Sequence, residues 1–314
     1  MDAIGGYFEL ELRKGEHFHK NAICLNSGRN CFEYVLRARE YKRVYMPYYT
    51  CDVLYEPMLR TRVERIDYNI NEQLEPIELP KLKEGEAFLY TNYFGLKQRY
   101  VEHLAKLYGT QLIVDNAQAF YAERLEGIDT FYSPRKFFGV PDGGYLYTDC
   151  LLDDDFPLAK SMERMGHLLK RIEGGAEAGY AEYKQNNIIL RNLPIERMSK
   201  ITETILCSID YDEVRHQKRK NYAEMDNQLS DSNLINLQLD DDAVPMVYPY
   251  LTSDDLLRNR LILNKIFVAT YWPNICKNDL YESYLKHNLL PLPIDQRYSD
   301  RENQIIAEII RKNL

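Results

Sequence analysis

The apolar positions of this chain change their spacing from segment to segment. Residues 44–46, 63–68, 87–91, 112–114, 130–132 and 144–148 are short apolar runs, which predicts strands. Residues 30–40, with Phe32, Val35 and Leu36, and residues 99–108 have the spacing of helices. Asn26-Ser27-Gly28 is a turn ahead of the first helix, Pro47 stops the 44–46 strand, and Gly109 stops the second helix. Residues 7–12 alternate and predict a leading strand, while 52–60 predicts a helix that Pro57 interrupts. Strands alternating with helices predict an α/β fold, a mainly parallel central sheet covered by helices. Ligands of such sheets bind beyond the carboxyl ends of the strands.

The pattern shifts further along. Residues 155–230 read as mostly helical, with a glycine-rich weak spot at 173–179 that predicts a mobile loop. Residues 197–229 predict one long helix or a bent pair. Beyond 231 come short apolar runs at 234–239, 244–251 and 267–271, helical spacing at 255–266 and 301–312, and Leu290-Pro291-Leu292-Pro293. The expected organisation is a large domain over residues 1–230 and a small C-terminal α+β domain over 231–314.

Composition narrows the function classes. The 314 residues carry a net charge of −8 with both signs interspersed, which argues against nucleic acid or an anionic membrane surface as partner. No apolar run approaches the roughly 20 residues of a membrane span, and residues 1–20 lack a signal-peptide core. The six cysteines form no CxxC pair, so they read as reduced core residues of a cytoplasmic protein. His17-Phe18-His19 has no second cluster at ligand spacing, and no metal is expected.

Two side chains stand out against this background. Asp115 closes the 112–114 run, and Lys136 lies 21 residues later in Ser133-Pro134-Arg135-Lys136, just after the next run. An acid and a lysine at the ends of neighbouring buried strands are the pair that pyridoxal phosphate needs. The amine forms a Schiff base with the aldehyde, and the carboxylate keeps the ring nitrogen protonated. Taken alone, Asp115 reads first as a loop-facing acid capping the next segment. Burial among Phe137, Phe138 and Val140 would lower the Lys136 pKa. Asn26-Ser27-Gly28-Arg29-Asn30 precedes a helix whose first amides suit a phosphate, although, taken alone, a serine N-cap with no ligand is the commoner explanation. Tyr48-Tyr49-Thr50-Cys51 and Asn92-Tyr93-Phe94-Gly95 each follow a strand, where Tyr49 offers an aromatic wall and Asn92 and Tyr93 face a polar substrate. Cys51 as a nucleophile lacks an evident histidine partner. There is no GxGxxG after a strand, no GxxxxGK[ST] and no GxSxG.

These segments, in this order, resemble the DegT/DnrJ/StrS sugar aminotransferases. Asn26-Ser27-Gly28-Arg29 resembles that family's phosphate turn, Met46-Pro47-Tyr48-Tyr49-Thr50 its VPS-aromatic-T segment, and Val114-Asp115-Asn116-Ala117-Gln118-Ala119 its EDAAQA. Ser133 to Gly144 resembles the Schiff-base lysine loop with its trailing GDGG, Arg197-Met198-Ser199 the YRMS, and Leu290-Pro291-Leu292 the LPL. The resemblance implies the aspartate-aminotransferase fold with pyridoxal 5'-phosphate as cofactor. It implies Lys136 as Schiff-base lysine and proton shuttle, Asp115 as partner of the ring nitrogen, and Gln118 beside the ring. It further implies Gly28, Arg29, Asn30 and Ser133 at the phosphate, and a homodimer with active sites at the interface. Three positions depart from the family: Cys51 stands where a ring-stacking aromatic is usual, leaving that role to Tyr49, Ile195 stands where a partner-subunit asparagine reaches the phosphate, and Arg29 replaces the small residue of the phosphate turn.

The expected function is therefore a cytoplasmic aminotransferase moving an amino group from an amino acid, glutamate first, to a keto sugar that is nucleotide-linked. Arg29, Arg135 and Arg197 are unranked candidates for the donor carboxylate, with Asn92 and Tyr93 on the substrate side. The alternative is a vestigial protein of the same fold that binds the cofactor without turnover and serves as a regulator or partner.

Overall fold

In the computed structural model, residues 4–277 and 280–312 are described. The first described residues are extended but form no strand at 7–12: Tyr7, Phe8 and Leu10 are solvent-exposed, and among the described residues no neighbouring strand pairs with them. Strand β1 (Ile23–Leu25) then leads into helix α1 (Gly28–Arg39), started by Ser27, whose hydroxyl accepts from the Asn30 N–H at 3.1 Å. β2 (Arg43–Pro47) follows, then a short 3-10 turn and α2 (Tyr55–Thr61). Pro57 lies in the first turn of α2, where its missing N–H has no helical partner to lose, so it does not interrupt the helix.

β3 (Glu64–Tyr68), β4 (Glu86–Thr91), α3 (Gln98–Tyr108), β5 (Leu112–Asn116), β6 (Asp129–Tyr132) and β7 (Gly144–Tyr147) complete a seven-stranded sheet of order β1-β7-β6-β5-β4-β2-β3. The five strands from β6 to β3 run parallel, and β7 and β1 close the other edge antiparallel. Every residue of β4, β5 and β6 is buried, as a parallel sheet covered on both faces requires. Alternate side chains enter opposite cores. Ala87, Leu89, Ile113, Phe131 and Leu146 pack with Phe32, Val35 and Leu36 of α1. Phe88, Tyr90, Leu112, Val114, Tyr132 and Tyr145 pack on the other face.

Helices α4 (Gly166–Ala178) and α5 (Tyr180–Asn192) form a hairpin. The glycine-rich 173–179 stretch is helical rather than a loop, with a kink at Gly175, whose φ of 78° and ψ of −171° leave the helical region. The 197–229 stretch is the bent pair, α6 (Lys200–Cys207) and α7 (Tyr211–Leu229). Beyond it, β8 (Tyr248–Leu251) pairs antiparallel with β9 (Leu289–Leu292), accompanied by α8 (Leu257–Leu263), α9 (Tyr281–Asn288) and α10 (Asp300–Arg311). The apolar run at 267–271 forms no strand. Among the described residues no helix is long and apolar enough to cross a membrane.

Candidate active site

The carboxyl ends of β2, β4, β5 and β6 converge, and each delivers one part of the site. β5 carries Asp115, 5 % exposed, and its Oδ1 accepts the Ala117 N–H at 2.8 Å. β6 ends at Tyr132, and the 3-10 turn Pro134–Lys136 comes next. Lys136 is exposed, so the burial expected for it is not found: in this turn Pro134, Phe137 and Phe138 take the buried positions and turn the lysine outward. Burial pushes the Asp115 carboxyl up to about 6, against the pull of the Lys136 charge and of the Ala117 N–H. The same lysine acts on Cys51 at the exit of β2, whose thiol is pushed up by burial and drawn back by Lys136. An amine, a carboxyl and a thiol from three separate segments thus lie within Coulombic reach of one another.

Gln118 supplies a polar group without a partner. Its Oε1 accepts the Phe94 N–H at 3.0 Å, which fixes the amide so that Nε2 is the donor. That Nε2 is buried and has no acceptor. A buried donor left unpaired costs roughly 1–3 kcal/mol, and an acceptor beside Asp115 would remove that cost. The turn that the resemblance assigns to a phosphate is equally tight. A Cβ on Gly28 would lie 3.6 Å from Ser133 Cβ, so the mouth of α1 and the start of the lysine turn touch. Asn30 serves the turn itself: its N–H is taken up by Ser27, and its Nδ2 donates to Asn26 Oδ1 at 2.6 Å and to the Pro194 carbonyl at 2.7 Å. The acid, the unpaired amide, the lysine and the phosphate cradle fit pyridoxal phosphate.

Other sequence-derived candidates are placed differently. Tyr49 is fully buried, edge-on to Trp272 at 4.2 Å and stacked on Tyr93. Tyr93 donates to the Tyr49 carbonyl at 2.8 Å, and Asn92 is engaged by Gln98 and by the Lys97 N–H, so both build the turn after β4. Ile195 is buried against the α1 face of the sheet. Arg197 donates to the Phe156 carbonyl at 3.0 Å. Arg29 donates to the Leu190 carbonyl at 2.7 Å and pairs with Glu56 at 3.3 Å. Arg135 donates to Asn187 Oδ1 at 2.8 Å, but its Nε is buried with no partner. His17 and His19 are bound to the Tyr145 hydroxyl and the Phe120 carbonyl.

The sequence reading passed over the support of the lysine loop. Asp142 is fully buried and paired with Arg164 at 3.1 Å, and it accepts from Ser199 at 3.0 Å and from Thr202. This ties the glycine-rich end of the loop to the start of α6. The signal was the S-x-x-T at Ser199 and Thr202, an N-cap whose hydroxyls have work beyond the helix. Gly144 packs directly on the phosphate turn: a Cβ there would lie 2.5 Å from the Ser27 carbonyl carbon and 2.7 Å from the Gly28 nitrogen. Gly144→Ala should therefore cost about 3 kcal/mol or more, read as a lowered urea midpoint with an unchanged slope.

No family model matches this chain, and no curated protein matches it by sequence. Solved structures do match. A DegT DnrJ EryC1 StrS aminotransferase from Brucella abortus superposes with a TM-score of 0.61 at 15% identity, over 93% of this chain and 85% of that one. DesV of S. venezuelae, solved in complex with a ketimine intermediate, gives 0.63 at 18% identity over 95% and 85%. The sugar aminotransferase Spr1654 from Streptococcus pneumoniae, in its PLP form, gives 0.63 at 14% over 93% and 88%. This chain has the fold of those aminotransferases. The likeness of segments in the sequence and the likeness of the fold thus point to the same group of proteins.

Proposed function

We propose that this chain is a pyridoxal-phosphate-dependent aminotransferase, cytoplasmic and homodimeric, that takes the amine of an amino acid such as glutamate and passes it to a keto sugar, nucleotide-linked. The observation that carries the reading is the meeting of Lys136 with the buried Asp115 beside the unpaired Gln118 amide. When bound, the cofactor supplies an aldehyde that carries the amine and an electron-poor ring that stabilises charge beside it. Asp115 would hold the ring nitrogen and keep its proton. Gln118 Nε2 would donate to an acceptor on the bound cofactor, and Ser133 with the Gly28–Arg29 backbone would hold the phosphate. Lys136 Nζ takes a proton from one carbon and returns it to another, as a general base and then acid. Its exposure suits that task, because the amine is free to move once it is released. Arg29 and Arg135 each keep a buried Nε without a hydrogen-bond acceptor, but Arg29 Nε already lies 3.3 Å from Glu56, so we assign the donor carboxylate to Arg135.

Residues 1–230 form the part that holds the cofactor, and 231–314 the smaller unit beside it. The α4–α5 hairpin supports the dimer: Leu169, Ile172, Tyr180 and Ile188 are more than half exposed, a patch that a second copy would cover. Purified protein given pyridoxal phosphate should develop a visible band, and borohydride should fix the cofactor on Lys136, as peptide mapping would read. Glutamate should then bleach the band as the first half of the transfer. A colourless protein that takes up no cofactor overturns the reading. Cofactor fixed on Lys136 with no bleaching by any amino donor leaves only the vestigial alternative.

A further inference from the structure

The exit of β2 borders a cavity of about 110 Å3 that Lys136 and Asp115 do not line. Its walls are the rings of Tyr48, Tyr55 and Trp272, and its polar lining comes from Thr50, Asp52 and Asn274. The segment around Trp272 forms one side. Asn274 donates to Asp52 at 2.5 Å, and the Cys276 N–H donates to the Tyr48 hydroxyl at 3.2 Å. Thr50 is 3 % exposed, and its hydroxyl is buried without a partner. Cys51, between Thr50 and Asp52, is the residue whose thiol feels Lys136, so the cavity adjoins the site.

The charges at this cavity are already matched. Asp52 pairs with Arg191 at 2.9 Å, and Arg65, which also lines the cavity, pairs with Asp67 at 2.5 Å. A charged guest would disturb both pairs, whereas a neutral one would not. Aromatic walls suit the C–H faces of a saturated ring. A hydroxyl, a carboxylate and an amide set around such walls suit its hydroxyl groups. We infer that the cavity seats the sugar ring of the acceptor, with Thr50 and Asn274 as the residues that hold its hydroxyls. This rests on the keto-sugar function proposed for the chain and assigns that substrate a place.

The chain has one tryptophan, Trp272, so intrinsic emission reports on the cavity directly. Cofactor-free protein titrated with thymidine diphosphate-glucose should show a saturable change in emission, and thymidine diphosphate alone should not. Thr50→Val removes a hydroxyl that has no partner in the empty cavity, so its melting temperature should not fall. Its half-saturation should rise at least about fivefold, the value of one lost hydrogen bond. Should Thr50→Val fail to fold, Asn274→Ala should give the same rise. No response, an equal response to the bare nucleotide, or an unmoved half-saturation in the folded variant overturns the assignment. Because the titration needs no cofactor, its failure with Lys136 still fixed by borohydride sinks the cavity alone. A response in a protein that takes up no cofactor sinks the aminotransferase and leaves the sugar site standing.

Discussion

Lys136→Ala should reduce amine transfer by about a thousandfold or more while leaving the fold intact. The two halves of that expectation have separate origins. Lys136 is exposed at the end of a 3-10 turn whose buried contacts come from Pro134, Phe137 and Phe138, so its loss should change stability by no more than about 0.5 kcal/mol. Its function has no understudy. Lys218, which lies over the Phe137 ring at 5.1 Å, is buried and donates to the Met246 carbonyl at 3.0 Å. The Cys51 thiol is held protonated by burial. Single-turnover bleaching by glutamate, followed at the visible band, measures the loss, and thermal unfolding measures the rest. A variant retaining a tenth of the wild-type rate would show that another group moves the proton.

The sheet was legible because its strands announce themselves twice, by their apolar runs and by the polar residues that end them. Val114-Asp115 and Tyr132-Ser133 each change from apolar to polar where the strand ends, and that change put Asp115 and Lys136 on the same rim. What the sequence could not carry was side-chain direction in irregular backbone. Lys136 read as buried because its neighbours are aromatic, yet a tight turn sends consecutive side chains to different sides, and the phenylalanines took the inside. Tyr49, Asn92 and Tyr93 read as ligand-facing because they come directly after strands. In the fold the Tyr93 hydroxyl bonds the Tyr49 carbonyl and Asn92 accepts from the turn after β4, which local spacing cannot reveal. The segment at 7–12 alternates like a strand but finds no neighbour to pair with, and alternation without a partner is not a strand. The glycines at 174 and 175 read as a break, but the α4–α5 packing carries the helix through them with a single kink.

Asp115→Asn should make the cofactor-free protein more stable and the enzyme nearly inactive. The folded carboxyl stands at about 6, above its ordinary value of 3.8, so the folded state holds a proton that the unfolded chain has released. Wild-type stability must then fall as pH rises from about 4 to about 6 and stay low above that range. Two pKa units correspond to about 2–3 kcal/mol, with little solvent discount because the side chain is 5 % exposed. Asparagine keeps an oxygen for the Ala117 N–H and carries no charge to bury, so the variant should match the wild type near pH 4 and exceed it by about 2 kcal/mol at pH 8. Chemical denaturation at the two pH values reads this directly, and identical pH profiles for the two proteins would mean that Asp115 is not held neutral by its surroundings. With the cofactor bound the sign reverses. A ring nitrogen that keeps its proton pairs with the carboxylate and draws its pKa down, whereas the amide cannot hold that proton, so transfer should fall by about 10²–10³. A residue that weakens the empty protein and strengthens the loaded one is present for the ligand, and that opposition separates a cofactor partner from an ordinary capping acid at the end of a strand.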